Sequence, residues 1–132
     1  MSEFTVLSRA AYEAISRDDL EAFVALADPD VQFNSLIEGR LYRGHEGVRE
    51  WWDNVIKSLG GVGLELEEVY DFDDHGYVKM VVDAGGSDVD LPPAIWQAIR
   101  IEGDKAVWWG IFASEDEARK ALGVGKKAKR GR

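Results

Sequence analysis

The chain has no cysteine, only two histidines and three prolines in 132 residues, and no apolar run of membrane-spanning length. Without cysteine there are no disulfides, thiolate metal sites or cysteine nucleophiles. Two histidines give no material for a histidine-rich metal centre, so neither a metal nor a cofactor is expected. A bilayer span needs about 20 consecutive apolar residues, and a secretory leader needs a basic start followed by an apolar stretch. Neither pattern occurs, and the expectation is a soluble cytoplasmic protein with no membrane contact.

Positive charge is scarce in the body of the chain. The formal net charge is −9, and the ending VGKKAKRGR holds Lys126, Lys127, Lys129, Arg130 and Arg132 with no acid; removing those five cations leaves −14 on residues 1–123. An acidic body repels phosphate backbones, which argues against nucleic acid as a partner of the folded part. Residues 124–132 read as a basic, disordered, solvated tail, because they combine glycine with charge and lack apolar periodicity. Residues 1–123 read as one domain, with 45% hydrophobic residues to build a core.

Phe4, Leu7, Ala11, Ala14 and Ile15 recur at spacings of three and four, which predicts an N-terminal helix with Ser2 as its cap. Asp18 with Glu21 predicts the cap of a second, short helix ending at Asp28-Pro29. Val31 to Asn34 alternates like a half-buried strand, and Glu38-Gly39-Arg40 reads as a loop. Val48, Trp51, Trp52, Val55, Ile56 and Leu59 form one apolar stripe of a third helix, so both tryptophans face inward until Gly60-Gly61 stops it. From Leu64 the period becomes two. A hairpin turns at Asp73–Gly76, and strands over Ile95–Ile101 and Ala106–Phe112 follow after Pro92-Pro93. Ser114 and Glu117 form a capping box for a short last helix that Gly123 ends. The layout is α+β: a curved, mostly antiparallel sheet wrapped around the tryptophan-bearing helix, with N-terminal helices and a short C-terminal one.

This order, with the segments DDLEAFVALADPDVQF, YRGHEGVREWW and GDKAVWWGIFASEDEARKALG, resembles the nuclear-transport-factor-2-like (NTF2-like, or cystatin-like) cone fold and its SnoaL-like branch, from residue 4 to 123. The resemblance implies a deep pocket inside the cone, often a homodimer, and usually no metal. It does not fix a reaction, since the superfamily spans isomerases, cyclases, epoxide hydrolases and binders. Aligned on DLEA, Ser35 stands where an isomerase of this fold carries its carboxylate base. Ala11 stands in place of its tyrosine, with Tyr12 adjacent, and Gln97 in place of its protonated aspartate. A hydroxyl and an amide hold a ligand by hydrogen bonds and do not act as bases near neutrality. The arginine that an epoxide hydrolase needs has its nearest counterpart in Arg100, which strand alternation puts on the opposite face from Gln97. The late-strand acid of the cyclases has no counterpart in AVWWGIF.

If Gln97 faces the hollow, alternation sends Ile95, Ile99 and Ile101 with it. The resemblance adds Trp109 and Ile111, Met80 and Val82 extend the wall, and Phe33 and Ser35 stand at the mouth of the first strand. Trp51 and Trp52 close it, one toward the core and one toward the pocket. A pocket so lined suits a small hydrophobic molecule held by one or two polar groups, Ser35, Gln97 and Tyr12. The catalytic residues stay unassigned, with Asp90 and His45 as the candidates for an acid or base. Trp108 and Phe112 fall on the outer face and suggest a homodimer through it. Three functions stay open. One is a binder of a small hydrophobic molecule. The second is an isomerase, polyketide cyclase or epoxide hydrolase acting on a polyketide-, steroid- or terpene-like substrate. The third is a noncatalytic dimeric association module.

Overall fold

The computed structural model describes residues 3–35, 39–56, 63–72, 74–83, 94–123 and 130–131. Helix α1 (Glu3–Ser16) buries Phe4, Leu7, Ala11 and Ala14 along one side, the stripe that the three-and-four spacing predicts. Thr5 Oγ1 donates to Asp71 Oδ2 at 2.6 Å and so ties α1 to the sheet. Asp18 then takes a left-handed conformation (φ 54°), and Asp19 caps α2 (Leu20–Val24) by accepting from the Ala22 amide at 3.1 Å. The cap therefore falls one residue later than the Asp18–Glu21 pair predicts, because Asp18 serves the turn.

Helix α2 ends at Val24, not at Asp28-Pro29, and β1 (Ala27–Ser35) begins early. The cause lies far along the chain: the Leu26 carbonyl accepts the Ala106 amide at 2.9 Å, and Ala27 pairs with Ala106. Pro29 sits inside the register shift between Ala27 and Gln32, where a residue without an N–H breaks no ladder bond. The expected loop at Glu38-Gly39-Arg40 is also revised. Gly39 turns at φ 70°, and Arg40 opens a strand, β2 (Arg40–Arg43), antiparallel to Gln32–Ser35. Glu38 lies outside the described residues.

Helix α3 (Gly44–Trp51) passes into a π-helical turn, Trp52–Ile56. The wider i→i+5 turn replaces the predicted continuous α-helix, and Trp51 and Trp52 are both buried. Leu59 and the Gly60-Gly61 stop lie outside the described residues. The meander then runs through β3 (Gly63–Asp71), β4 (His75–Asp83), β5 (Ala94–Glu102) and β6 (Lys105–Phe112). The sheet order is β2-β1-β6-β5-β4-β3-β7, where β7 (Arg130–Gly131), from the basic tail, pairs with Tyr70 and Val69 at the β3 edge. Only the β1–β6 pairing is parallel among these strands.

The inner face of the sheet packs on the helices of the first half, in a core joining Phe4, Phe23, Phe33, Trp51, Trp52 and Trp109. The outer face carries α4 (Glu115–Leu122), whose Ser114 hydroxyl accepts the Glu117 amide at 3.2 Å and whose end at Gly123 is left-handed (φ 71°), as the capping box predicts. Ala118 and Leu122 of α4 cover Phe112, Tyr77 and Ala98. Phe112 is thus 3% exposed within its own chain and is withdrawn as a dimer-contact residue; its ring is part of the domain's second core. Trp96 and Trp108 remain half-buried beside it.

Tyr77 locks α4 to the sheet. Its hydroxyl donates to Glu115 Oε2 at 2.8 Å and accepts from Arg119 Nε at 3.0 Å, and its ring stacks on Tyr70 at 4.6 Å. Burial pushes its phenol up to about 12 from 10.0, opposed by the Arg119 donor and aided by Glu115. A raised folded-state value stabilises the fold below pH 10, and that contribution is lost as pH climbs from 10 toward about 12. In an ultraviolet phenolate titration, one of the four tyrosines is expected to ionise last, and Tyr77→Phe should remove that step. A wild-type curve with all tyrosines titrating together would contradict this burial.

Gly76, on the inner side of β4, leaves no room for a side chain: a Cβ there would meet the Tyr70 carbonyl, and the Phe4 ring at 2.8 Å. Gly76→Ala is expected to lower unfolding free energy by about 1–3 kcal/mol, read from a urea midpoint. An unchanged midpoint would mean that α1 can lift off β4 freely.

Candidate functional site

Register fixes which side chains share the inner face. One rung across the sheet runs Tyr42, Phe33, Trp109, Ile99 and Gly76, and the next runs Ser35, Ile111, Gln97 and Val78. A third rung joins Ile95, Met80 and Leu66. Arg100 and Trp108 pair with each other on the opposite face, where Arg100 Nη2 donates to the Leu122 carbonyl at the end of α4. Alternation therefore holds from Gln97 to Arg100. A bulge between Arg100 and Ile101 then resets it, leaving Ala106 and Trp109 in the same core despite their odd separation.

Above the first rung lies an aromatic cluster. Phe23 meets Trp51 at 5.6 Å, Trp52 at 5.4 Å and Trp109 at 5.0 Å between ring centroids, and Phe33 meets Trp51 at 4.7 Å and Trp109 at 5.6 Å. Tyr42 closes one end, its ring edge-on to Phe33 and its hydroxyl accepting from Asn54 Nδ2 at 3.2 Å. The two adjacent tryptophans thus both pack against Phe23. The indole Nε1 of Trp51 and that of Trp109 are both buried with no hydrogen-bond partner among the described residues. An unpaired buried donor costs about 1–3 kcal/mol.

Two polar side chains stand in the next rung, Ser35 and Gln97, 2% and 3% exposed. Among the described residues, the buried polar or charged side chains are these two with Thr5 and Ser8. The arrangement therefore donates and accepts hydrogen bonds and supplies no proton exchange near neutrality. His45 is held elsewhere, its Nε2 2.7 Å from the Ala27 carbonyl, where it joins the start of α3 to β1. Asp90 lies outside the described residues. Val82 pairs with Leu64, and its side chain lies outside them too.

Tyr12 is half-buried at the edge of the core and lines a groove of about 380 Å³ with Arg9, Glu13, Glu65 and Leu66. Leu66 belongs to the third rung, beside Met80 of β4. Sequence reasoning missed this groove and the central role of Phe23. The signal for the groove was the spacing of Arg9, Tyr12 and Glu13, three and four apart on a second face of α1; Phe23 had only its place in the α2 stripe. No helix among the described residues is long and apolar enough to cross a membrane.

The same architecture recurs in solved structures. A cystatin-fold protein from Novosphingobium aromaticivorans is 19% identical and superposes with a TM-score of 0.71 over 85% of this chain and 98% of its own. A ketosteroid-isomerase-like protein from Catenulispora acidiphila, in complex with trimethylamine, is 17% identical with a TM-score of 0.67 over 90% and 93%. A Mycobacterium tuberculosis protein in complex with estradiol-17β-hemisuccinate is 16% identical with a TM-score of 0.68 over 88% and 97%. A search of curated protein sequences finds no match. At these identities the likeness is one of fold, but the SnoaL-like domain family matches residues 8–109 directly, and by that match the chain belongs to the SnoaL-like family of NTF2-like proteins.

Proposed function

We propose that the protein binds a small, largely apolar molecule against the inner face of the sheet, entered from the groove at Tyr12 and Leu66. The observation that carries this reading is a pair of buried polar side chains, Ser35 and Gln97, set beside an aromatic wall with no acidic or basic side chain among the described buried residues. A buried amide offers a donor and an acceptor at once, which an aromatic wall alone does not. The M. tuberculosis protein of this fold, which holds estradiol-17β-hemisuccinate, supports the same use here. An isomerase, cyclase or hydrolase activity would require an acid or base on this face, which the described residues do not supply.

Saturable quenching of tryptophan emission by an apolar aromatic ligand is the expected result. Gln97→Leu should weaken that binding about tenfold, the worth of one hydrogen bond. No saturable change with any apolar ligand, together with no small molecule carried through purification in native mass spectrometry, would sink the reading. Trp96 and Trp108, half-buried beside α4, support self-association of two copies through the outer face. Sedimentation at micromolar concentration should then give a dimer, and a monomer would remove that part of the proposal.

A further inference from the structure

We infer that the outer edge of β3 is a docking strand for an extended, lysine- and arginine-rich segment, and that the segment it takes is the chain's own C-terminal tail. The inference stands apart from the small-molecule reading above. β3 is nine residues long, whereas β2, toward the other side of the sheet, has four. A long edge presents a row of backbone donors and acceptors that invites other chains unless it is covered. Here Arg130 and Gly131 meet it, antiparallel, opposite Tyr70 and Val69. The pairing falls just past the bulge between Leu66 and Glu68. A bulge bends its strand and turns the edge away, so the stretch after it is the part left for a partner strand.

Charge gives the pairing its selectivity. β3 carries Glu65, Glu67, Glu68 and Asp71 and no cation, a formal charge of −4. Lys79 of β4 stands 3.0 Å from Glu67 and 3.9 Å from Glu68, and with it included the strand keeps −3. Residues 124–132 hold five cations and no acid. Opposite charges on neighbouring strands attract, and like charges directly opposite repel. The edge therefore favours the basic tail and resists pairing with the acidic β3 of a second copy.

Reach places the tail of the same copy there. Helix α4 ends beside β5, where Arg100 donates to the Leu122 carbonyl. Arg100 pairs with His75, and two residues along the same strands a rung runs Ala98, Tyr77, Tyr70 and Arg130. The end of α4 and Arg130 thus lie at the same end of the sheet. They are separated by about 14 Å across three strand spacings and about 7 Å along the strands. The seven residues from Gly123 to Arg130 extend to about 24 Å, enough to close that distance without a second copy.

The test uses the full-length protein in solution. Nuclear Overhauser contacts are sought between the backbone protons of Val69 and Tyr70 and those of Arg130 and Gly131. A mixture of ¹³C-labelled and unlabelled chains, read with isotope filtering, separates contacts within one copy from contacts between copies. The expected result is contacts within one copy, with amide exchange in the Arg130–Gly131 pair slowed about tenfold at low salt. Raising the salt to about 0.5 M should cut that protection about threefold or more. Lys126→Gln, Lys127→Gln and Lys129→Gln combined should do the same, since they leave the paired residues and β3 unaltered.

Protection that ignores both the salt and the glutamine variant would overturn the selection by charge, and with it the docking site proposed. Contacts found solely between copies would make the occupant a second copy's tail and overturn the assignment to the same chain. No contact between the tail and β3 would overturn the inference outright, while leaving the small-molecule reading untouched.

Discussion

Phe23→Ala is expected to remove about 3–5 kcal/mol of unfolding free energy, the cost of deleting a fully enclosed aromatic ring. Phe23 is 0% exposed, and three tryptophan rings stand within 5.6 Å of its centroid. Two of them come from the α3 region and the third from β6, so none can follow a shrinking neighbour without dragging its own element along. Helix α2 is five residues long, too short to persist on intrinsic propensity, and it stays in place by burying Phe23 and Val24. The measurement is a urea titration followed by tryptophan emission, with Val6→Ala as the control. Val6 is 53% exposed, and its loss should cost no more than about 0.5 kcal/mol. A Phe23→Ala loss below about 1 kcal/mol would show that the cluster repacks, and that the interior is looser than these contacts indicate.

Local chemistry dictates much of this architecture. The helical stripe of α1, the inward placement of Trp51 and Trp52 and the Ser114–Gly123 cap pair are legible because each depends on residues within a turn or two of one another. So is the shared face of Gln97 and Ile99, which needs only strict alternation. What is not legible depends on partners distant in sequence. The early start of β1 is set by Ala106, and β2 exists because Gln32–Ser35 offers it an edge. Phe112 reads as a surface aromatic in the sequence because its cover, α4, is seated by contacts distant in sequence, the Arg100 and Tyr77 hydrogen bonds and the packing of Ala118 and Leu122. For the candidate site, the family likeness proposes Ser35, Gln97, Trp109 and Ile111, and residue parity adds Ile99 to the face of Gln97. The groove at Tyr12 and Leu66 needs the docking of α1 against β3, which the spacing of Arg9, Tyr12 and Glu13 on α1 does not encode by itself.

Gln97→Glu should make stability strongly dependent on pH. A carboxyl with the same shape would sit where the amide is 3% exposed, with no cation among the described buried side chains. Burial without a counter-charge disfavours the ionised form, so the folded-state value rises above the unfolded value of about 4.3. A group raised on folding favours the native state below its unfolded value, and that advantage disappears as pH rises through the folded value. Near pH 4 the variant should therefore unfold at close to the wild-type denaturant concentration. At neutral pH it should have lost about 3–4 kcal/mol, corresponding to a rise of about three units at 1.36 kcal/mol each. The size of that loss also reports on the hollow itself. In a dry, tightly packed interior the carboxylate has no solvent and the full penalty appears, whereas water standing in a ligand-sized cavity beside position 97 would solvate it and hold the loss to about 1 kcal/mol. Adding an apolar ligand to the variant then separates the cases once more. A guest that displaces water from around the introduced carboxyl should bind tightly at pH 4, where that group is neutral, and progressively worse toward neutrality, while the wild-type amide shows no such trend.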